Sequence, residues 1–189
     1  MTESQSQQIS SSAEEIARHK LIHILQMAYS GEKAATMAYA GHWRSLKAGT
    51  ERDTIKRIEK EEIEHRQAVG RMLVMLNAGP AWWREILMSA IGTVAAVGCF
   101  FSGWFFPMYF AGKLENDNVR EYDVAAGYAH TIKLDEFLPQ LHEMSRTESE
   151  HELFFSSCVA NHWMLKPAIK IFGWDPLLVI ESHKLAALD

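Results

Sequence analysis

The chain has few of the residues that staple, punctuate or charge a fold in one direction. Its two cysteines, Cys99 and Cys158, both sit among apolar neighbours. A disulfide framework is therefore not expected, and a reducing compartment is. No run of lysine and arginine occurs, and the net charge is −5, which argues against nucleic acid as a partner. Only five prolines and eleven glycines interrupt 189 residues, and the Val/Ile/Thr alternation of strands is scarce. No G-x-G-x-x-G loop is present, so a separate dinucleotide domain is not expected. The opening "MTESQSQQISSSAEE" is polar and lacks arginine, unlike a secretory or transit segment. It reads as a disordered tail over residues 1–12, followed by a single domain over 13–189.

What the chain does have is helical periodicity. Hydrophobic residues make up 48%, enough for a globular or membrane-associated protein. Apolar residues recur at a period near 3.6, which predicts an all-α fold. The first helix is expected from about Ala13 to Lys47. The second runs from about Glu51 to Leu76, with Thr50 and Asp53 resembling a capping box and "NAGP" ending it. A third, long helix is expected from about Ala81 to Ala129, kinked or broken at Pro107. The fourth starts at Asp135 as N-cap and reaches about Trp163. Asp175-Pro176 opens a short C-terminal helix.

The pattern E-x-E-H occurs twice, at Glu62–His65 and Glu148–His151. On the second helix the apolar seam reads Ile55, Ile58, Glu62, His65, Val69, Met72, Leu76. On the fourth it reads Phe137, Leu141, Met144, Glu148, His151, Phe155, Cys158. Steps of three and four mark a packed face, so each Glu and His occupies a place where leucine is expected. Glu64 and Glu150 face away. The first helix carries Glu32 in the seam Leu21, Leu25, Ala28, Ala35, Tyr39. The third carries Glu115 in Met108, Ala111, Asn118, Tyr122, Ala125, Ala129; Asp117 and Glu121 are its nearby competitors.

Four carboxylates and two imidazoles are thus expected to face one core, with no lysine or arginine on the stripes to pair them. An unpaired buried carboxylate costs several kcal/mol. Two divalent cations relieve that cost, and carboxylate with imidazole suits iron or manganese better than calcium or magnesium. One Glu from each of two helices plus Glu-x-x-His from each of two others is the dinuclear carboxylate pattern. A lone E-x-x-H usually marks a solvated face; the force of the pattern lies in the whole set. Tyr122 reads either as a core aromatic or as a candidate catalytic residue beside the metals. His42, His130, His142 and His162 read as surface or satisfied core histidines.

Residues 86–112 contain no charge. Six aromatic side chains from Phe100 to Tyr109, with Trp82 and Trp83 ahead of them, leave three readings open. These are an amphiphilic helix pair embedded in one leaflet, ordinary burial, and an oligomer interface.

"YSGEKAATMAYAGHW" around Glu32, "EKEEIEH", Glu115 seven residues before Tyr122, and "TESEH" together resemble the demethoxyubiquinone hydroxylases (Coq7/Cat5 type) of the ferritin-like superfamily. The resemblance covers roughly residues 15–165. It implies a ferritin-like four-helix bundle with a long, partly membrane-interacting third helix. It implies two iron ions bridged by Glu62 and Glu148, with Glu32 and His65 completing one iron and Glu115 and His151 the other. It further implies O2-dependent hydroxylation of a prenylated quinol precursor, with NADH or the quinol itself as electron donor. The protein would be monotopic, on the cytoplasmic side of the inner membrane, alone or with an accessory protein or second copy. Three features depart from the family: Glu121 where a histidine is usual, the turn "NAGPAWW", and the C-terminal "FGWDPLLVIESHKLAALD". The competing expectations are a ferritin-like iron-binding or peroxide-consuming protein without organic substrate, and a metal-free structural bundle.

Overall fold

The computed structural model describes residues 3–188, with side chains from Ser12 onward. It contains seven α-helices and one 3-10 turn among the described residues, and no strand. They are α1 (Glu3–Ser45), α2 (Thr50–Met75), α3 (Trp82–Gly98), α4 (Phe105–Thr131), a 3-10 turn (Asp135–Phe137), α5 (Leu138–Val159), α6 (Leu165–Phe172) and α7 (Pro176–Ala186). The all-α expectation therefore holds. The helix start differs: α1 begins at Glu3 rather than about Ala13, because Ser, Gln and Glu without Gly or Pro give it no reason to stop.

The expected long third helix is two helices. The break falls at residues 99–104, not at Pro107. Gly103 supplies the left-handed φ of 75° at which the chain turns. Ser102 Oγ donates at 2.8 Å to the Gly98 carbonyl, which also accepts from the Phe101 and Ser102 backbone N–H groups. Pro107 lies in the first turn of α4, where an amide hydrogen has no intrahelical acceptor to lose. Two expected caps also do not form. No side chain caps α2, where Asp53 instead gives its backbone N–H to Gly49. Asp135 pairs with His130 Nδ1 at 2.9 Å and does not cap a helix. The Asp175 cap of α7 does form, accepting from the Leu177 N–H at 3.0 Å. Helix α6 is an addition to the expected set, and Gly173 ends it in the left-handed region.

Helices α1 with α2 and α4 with α5 form two hairpins whose seams meet in the centre. Apolar layers lie on both sides of that centre. One holds Leu25, Val69, Leu73 and Leu141; the other holds Ile55, Met108, Tyr109 and Phe155. Helix α3 lies on the outside of α1 at backbone contact. A Cβ on Gly41 would stand 2.4 Å from Ala96 Cα, and one on Gly92 would stand 2.8 Å from the Ala34 carbonyl. Glu85 of α3 fixes it further, accepting from Arg66 at 2.6 and 3.2 Å. Across the molecule, Trp174 wedges against Gly112 and donates to Glu152 at 2.9 Å.

The apolar 86–112 stretch divides in two. Phe105 and Tyr109 are buried, whereas Trp82, Trp83, Ile86, Val94, Phe100 and Phe101 are exposed. No helix among the described residues is long and apolar enough to cross a membrane.

Candidate metal centre

Every seam residue expected to carry chemistry is buried: Glu32, Glu62, His65, Glu115, Glu148 and His151. Each sits on its helix where the apolar rhythm calls for a core residue, so packing of the flanking leucines, isoleucines and methionines carries the polar groups inward. Glu115 joins the cluster. Its competitors do not: Asp117 is exposed and pairs with Lys113 at 3.6 Å, and Glu121 is only half-buried.

The ligand atoms fall into two groups suited to holding a metal ion. One comprises Glu32, Glu62, His65 and Glu148; the other comprises Glu62, Glu115, Glu148 and His151. Within each group the ligand atoms lie within 4.8 Å of one another, and Glu62 and Glu148 belong to both. The helical step of three places the Glu and His of each pair on the same face.

Hydrogen bonds inside the cluster leave much of it unsatisfied. His65 Nδ1 lies 2.9 Å from Glu148 Oε1, and His151 Nδ1 lies 3.4 Å from Glu62 and 3.5 Å from Glu148. Glu32 Oε2, both oxygens of Glu62, Glu148 Oε2 and His151 Nδ1 have no hydrogen-bond partner. Each orphaned buried polar atom costs about 1–3 kcal/mol, and leucine at these places would avoid the cost. A donor set of carboxylate oxygens and imidazole nitrogens pointing at one another fits cations.

The electrostatics agree. Burial, then the charges of neighbouring carboxylates, pushes Glu32, Glu62 and Glu115 well above the usual carboxylate range. Burial also opposes ionisation of Glu148, but the adjoining His151 and His65 imidazoles outweigh it and hold that carboxyl at about 2. Burial disfavours the His151 imidazolium, yet the Glu148 carboxylate beside it and the bond to Glu61 lift it to about 10. Without cations the cluster therefore neutralises itself with protons, which cations must displace on binding.

Two surrounding residues, Tyr39 and Glu61, were not assigned roles from the sequence; Tyr122, read there as a core aromatic or a candidate catalytic residue, is buried beside them. Tyr39 donates to Glu115, and Tyr122 donates to Glu32. Each tyrosine lies seven residues after the acid of its own helix and reaches the acid of the other. That repeat was legible for Tyr39, which follows Glu32 by the interval that separates Glu115 and Tyr122. Glu61 accepts from His151 Nε2 at 2.8 Å, orienting the ring so that Nδ1 faces the cluster. His42 is buried, with its Nε2 unpartnered; it is neither a surface nor a satisfied histidine.

Two cavities flank the centre. One is polar, about 410 Å³, lies between α2 and α5, and is lined by Glu61, His65, Arg71 and Glu143 among others. The other is apolar, about 370 Å³, and lies between α1, the end of α3 and α4. Comparison with protein-family models, with curated proteins and with solved structures returns no match for this chain.

Proposed function

We propose that the protein is a ferritin-like di-iron monooxygenase of the demethoxyubiquinone hydroxylase type, acting on the ring of a prenylated quinol or a related membrane-borne compound. The observation carrying this reading is the pair of overlapping ligand groups, with five orphaned atoms directed into one dry centre. Glu62 and Glu148 would be shared between the two metals, Glu32 and His65 would hold one, and Glu115 and His151 the other. A bound iron pair supplies the reductive use of O2 that protein side chains cannot supply.

The chain's own residues do the rest. Tyr39 and Tyr122 hold the outer carboxylates in place, and Asn118 adds a donor to Glu115 at 3.2 Å. Glu61 orients His151. The apolar layers exclude water, and Tyr39 separates the apolar cavity from Glu115. The exposed Trp82, Trp83, Ile86, Phe100 and Phe101 support a peripheral seat in one leaflet; the family resemblance puts that seat on the cytoplasmic side of the inner membrane. From there a lipid-like substrate reaches the cavity without crossing water.

A second reading is favoured by the polar cavity beside His65, which gives ions and peroxide an aqueous approach. It makes the protein a ferritin-like iron-binding or peroxide-consuming protein. Loading the purified protein with iron(II), then supplying O2, NADH and a short-tailed prenyl quinol, separates the two. The first reading expects about two irons per chain and a product heavier by one oxygen atom. Iron oxidation or peroxide loss without that product supports the second. Iron content far below this level overturns both.

A further inference from the structure

One residue lining the apolar cavity is a buried histidine with a ring nitrogen that the fold leaves unpartnered. The cavity walls are Ala35, Ala38 and Tyr39 of α1 and Phe106 and Phe110 of α4, with Cys99 and Ser102 at the α3–α4 turn. The Tyr39 hydroxyl is committed to Glu115, and Ser102 Oγ to the Gly98 carbonyl. His42 also lines the space; it is 2% exposed, and its Nε2 has no partner. The ring stacks on Phe155 at 6.3 Å with planes 14° apart, and Phe155 stacks in turn on Tyr39 at 5.9 Å. A buried imidazole nitrogen without a partner is destabilising. Phenylalanine would fill the same volume without that cost.

We propose that His42 is a positioning residue, taking a ring oxygen of the substrate through Nε2 while the substrate's apolar remainder fills the cavity toward Phe106 and Phe110. This deepens the hydroxylase reading and rests on its claim that the substrate is an apolar ring compound. Burial holds the His42 imidazole down at about 4, so it is neutral near pH 7. Depending on tautomer, Nε2 then donates to a ring carbonyl or accepts from a ring hydroxyl. The quinol and quinone forms of one ring can both be held. The polar edge of the ring is thereby set beside Tyr39, which touches the ligand Glu115, and the tail is left on the apolar side. Orientation of this kind is what a largely apolar pocket with few polar groups provides.

Equilibrium binding to the full-length protein tests the assignment without reference to turnover. The probes are a hydroquinone with a short aliphatic tail and its dimethyl ether, which lacks the hydroxyl donors and is larger by two methyl groups. Wild type is expected to favour the hydroquinone by about tenfold in Kd, the worth of one buried hydrogen bond. His42→Phe should abolish that preference while ether binding changes by less than about twofold; His42→Gln, which keeps a polar amide, should restore part of it. Ala38→Phe, which fills the cavity from the same wall, should weaken both probes together. Equal binding of the probes to wild type overturns the proposal, as does a preference that survives in His42→Phe or binding untouched by Ala38→Phe. If the hydroquinone preference depends on His42 but no oxygenated product forms, the hydroxylase reading fails and the binding role of His42 stands. If product forms with the same KM in His42→Phe, the proposal fails and the hydroxylase reading stands.

Discussion

The two hairpins that close on the centre supply matching candidate ligands from matching intervals, and then diverge in what surrounds them. Glu32 and Tyr39 on α1 repeat as Glu115 and Tyr122 on α4, and Glu62-x-x-His65 on α2 repeats as Glu148-x-x-His151 on α5. One residue before the shared acid, however, the first half has Glu61 and the second has Thr147. Only His151 is gripped by such a carboxylate. Three residues beyond each tyrosine, the first half has the buried His42 and the second has Ala125. One residue before each tyrosine, the first half has Ala38 on the apolar cavity and the second has the half-buried Glu121. The repeat builds a centre. The departures from it decide how each side of that centre is approached: the side near His65 through a polar cavity, the side near Glu115 along an apolar one.

The largest effect expected comes from the parts that the halves share. Glu62→Leu removes a carboxylate common to both ligand groups and should lower metal affinity by more than about 100-fold, beyond the loss usual for an outer partner. The same change removes two orphaned oxygens. The metal-free variant should therefore be more stable than metal-free wild type by at least about 1 kcal/mol, raising Tm by about 2–4 °C. Metal titration and melting curves on one preparation check both halves of this statement. A Glu62→Leu protein that keeps its metal, or melts lower without it, would remove the basis for a metal centre.

Next in size is the asymmetry at Glu61. Glu61→Gln should weaken metal binding by about 10- to 100-fold, the usual consequence of losing an outer carboxylate on a ligating histidine. Because only His151 leans on Glu61, one of two binding events should weaken and the other should not. Stepwise titration followed by calorimetry distinguishes this from a uniform loss, which would mean that the halves are energetically alike.

The tyrosines should bring the halves back together. Tyr39→Phe and Tyr122→Phe each remove one hydrogen bond to a ligand carboxylate. Each should cost about 1.5–3 kcal/mol in the metal-loaded protein, with values similar enough to show that the two positions are equivalent. Denaturation of the loaded protein measures both. A large effect from one and none from the other would break the equivalence.

The smallest effect concerns Glu121. Burial, opposed by Arg84, raises its carboxyl to about 7. A folded-state value above the unfolded one means that its contribution is fully present in acid and is lost as pH rises through 7. Glu121→Gln carries no such charge. Its stability should gain on wild type by about 1 kcal/mol between pH 4.5 and 8.5, a figure reduced for the partial exposure of the site. Melts at the two pH values test it; a constant offset would show that the carboxyl is not desolvated.

Much of this cluster could be read before the structure, because all six candidate ligand positions lie in heptad-like seams. A seam declares which side chains go inward whatever the neighbouring helix is. Glu115 was separable from Asp117 and Glu121 for the same reason: only Glu115 keeps step with Met108, Ala111 and Tyr122. Glu61 was not legible. It lies off the α2 seam, and its role arises only because His151, ninety residues away, ends beside it. The apolar run over 86–112 misled in a different way. Composition alone does not show where a helix stops, and the turn at 99–104 depends on the left-handed Gly103 and on α3 folding back over α1.

By itself, then, the sequence determined an all-helical chain with four acids and two histidines turned inward, since side-chain periodicity along a helix is a local property. Tertiary packing decided which orphaned atoms share one centre, which histidine gains a carboxylate behind it, and where His42 meets an apolar cavity. Those depend on distances between helices remote in the chain, and such distances are set by how whole faces interlock.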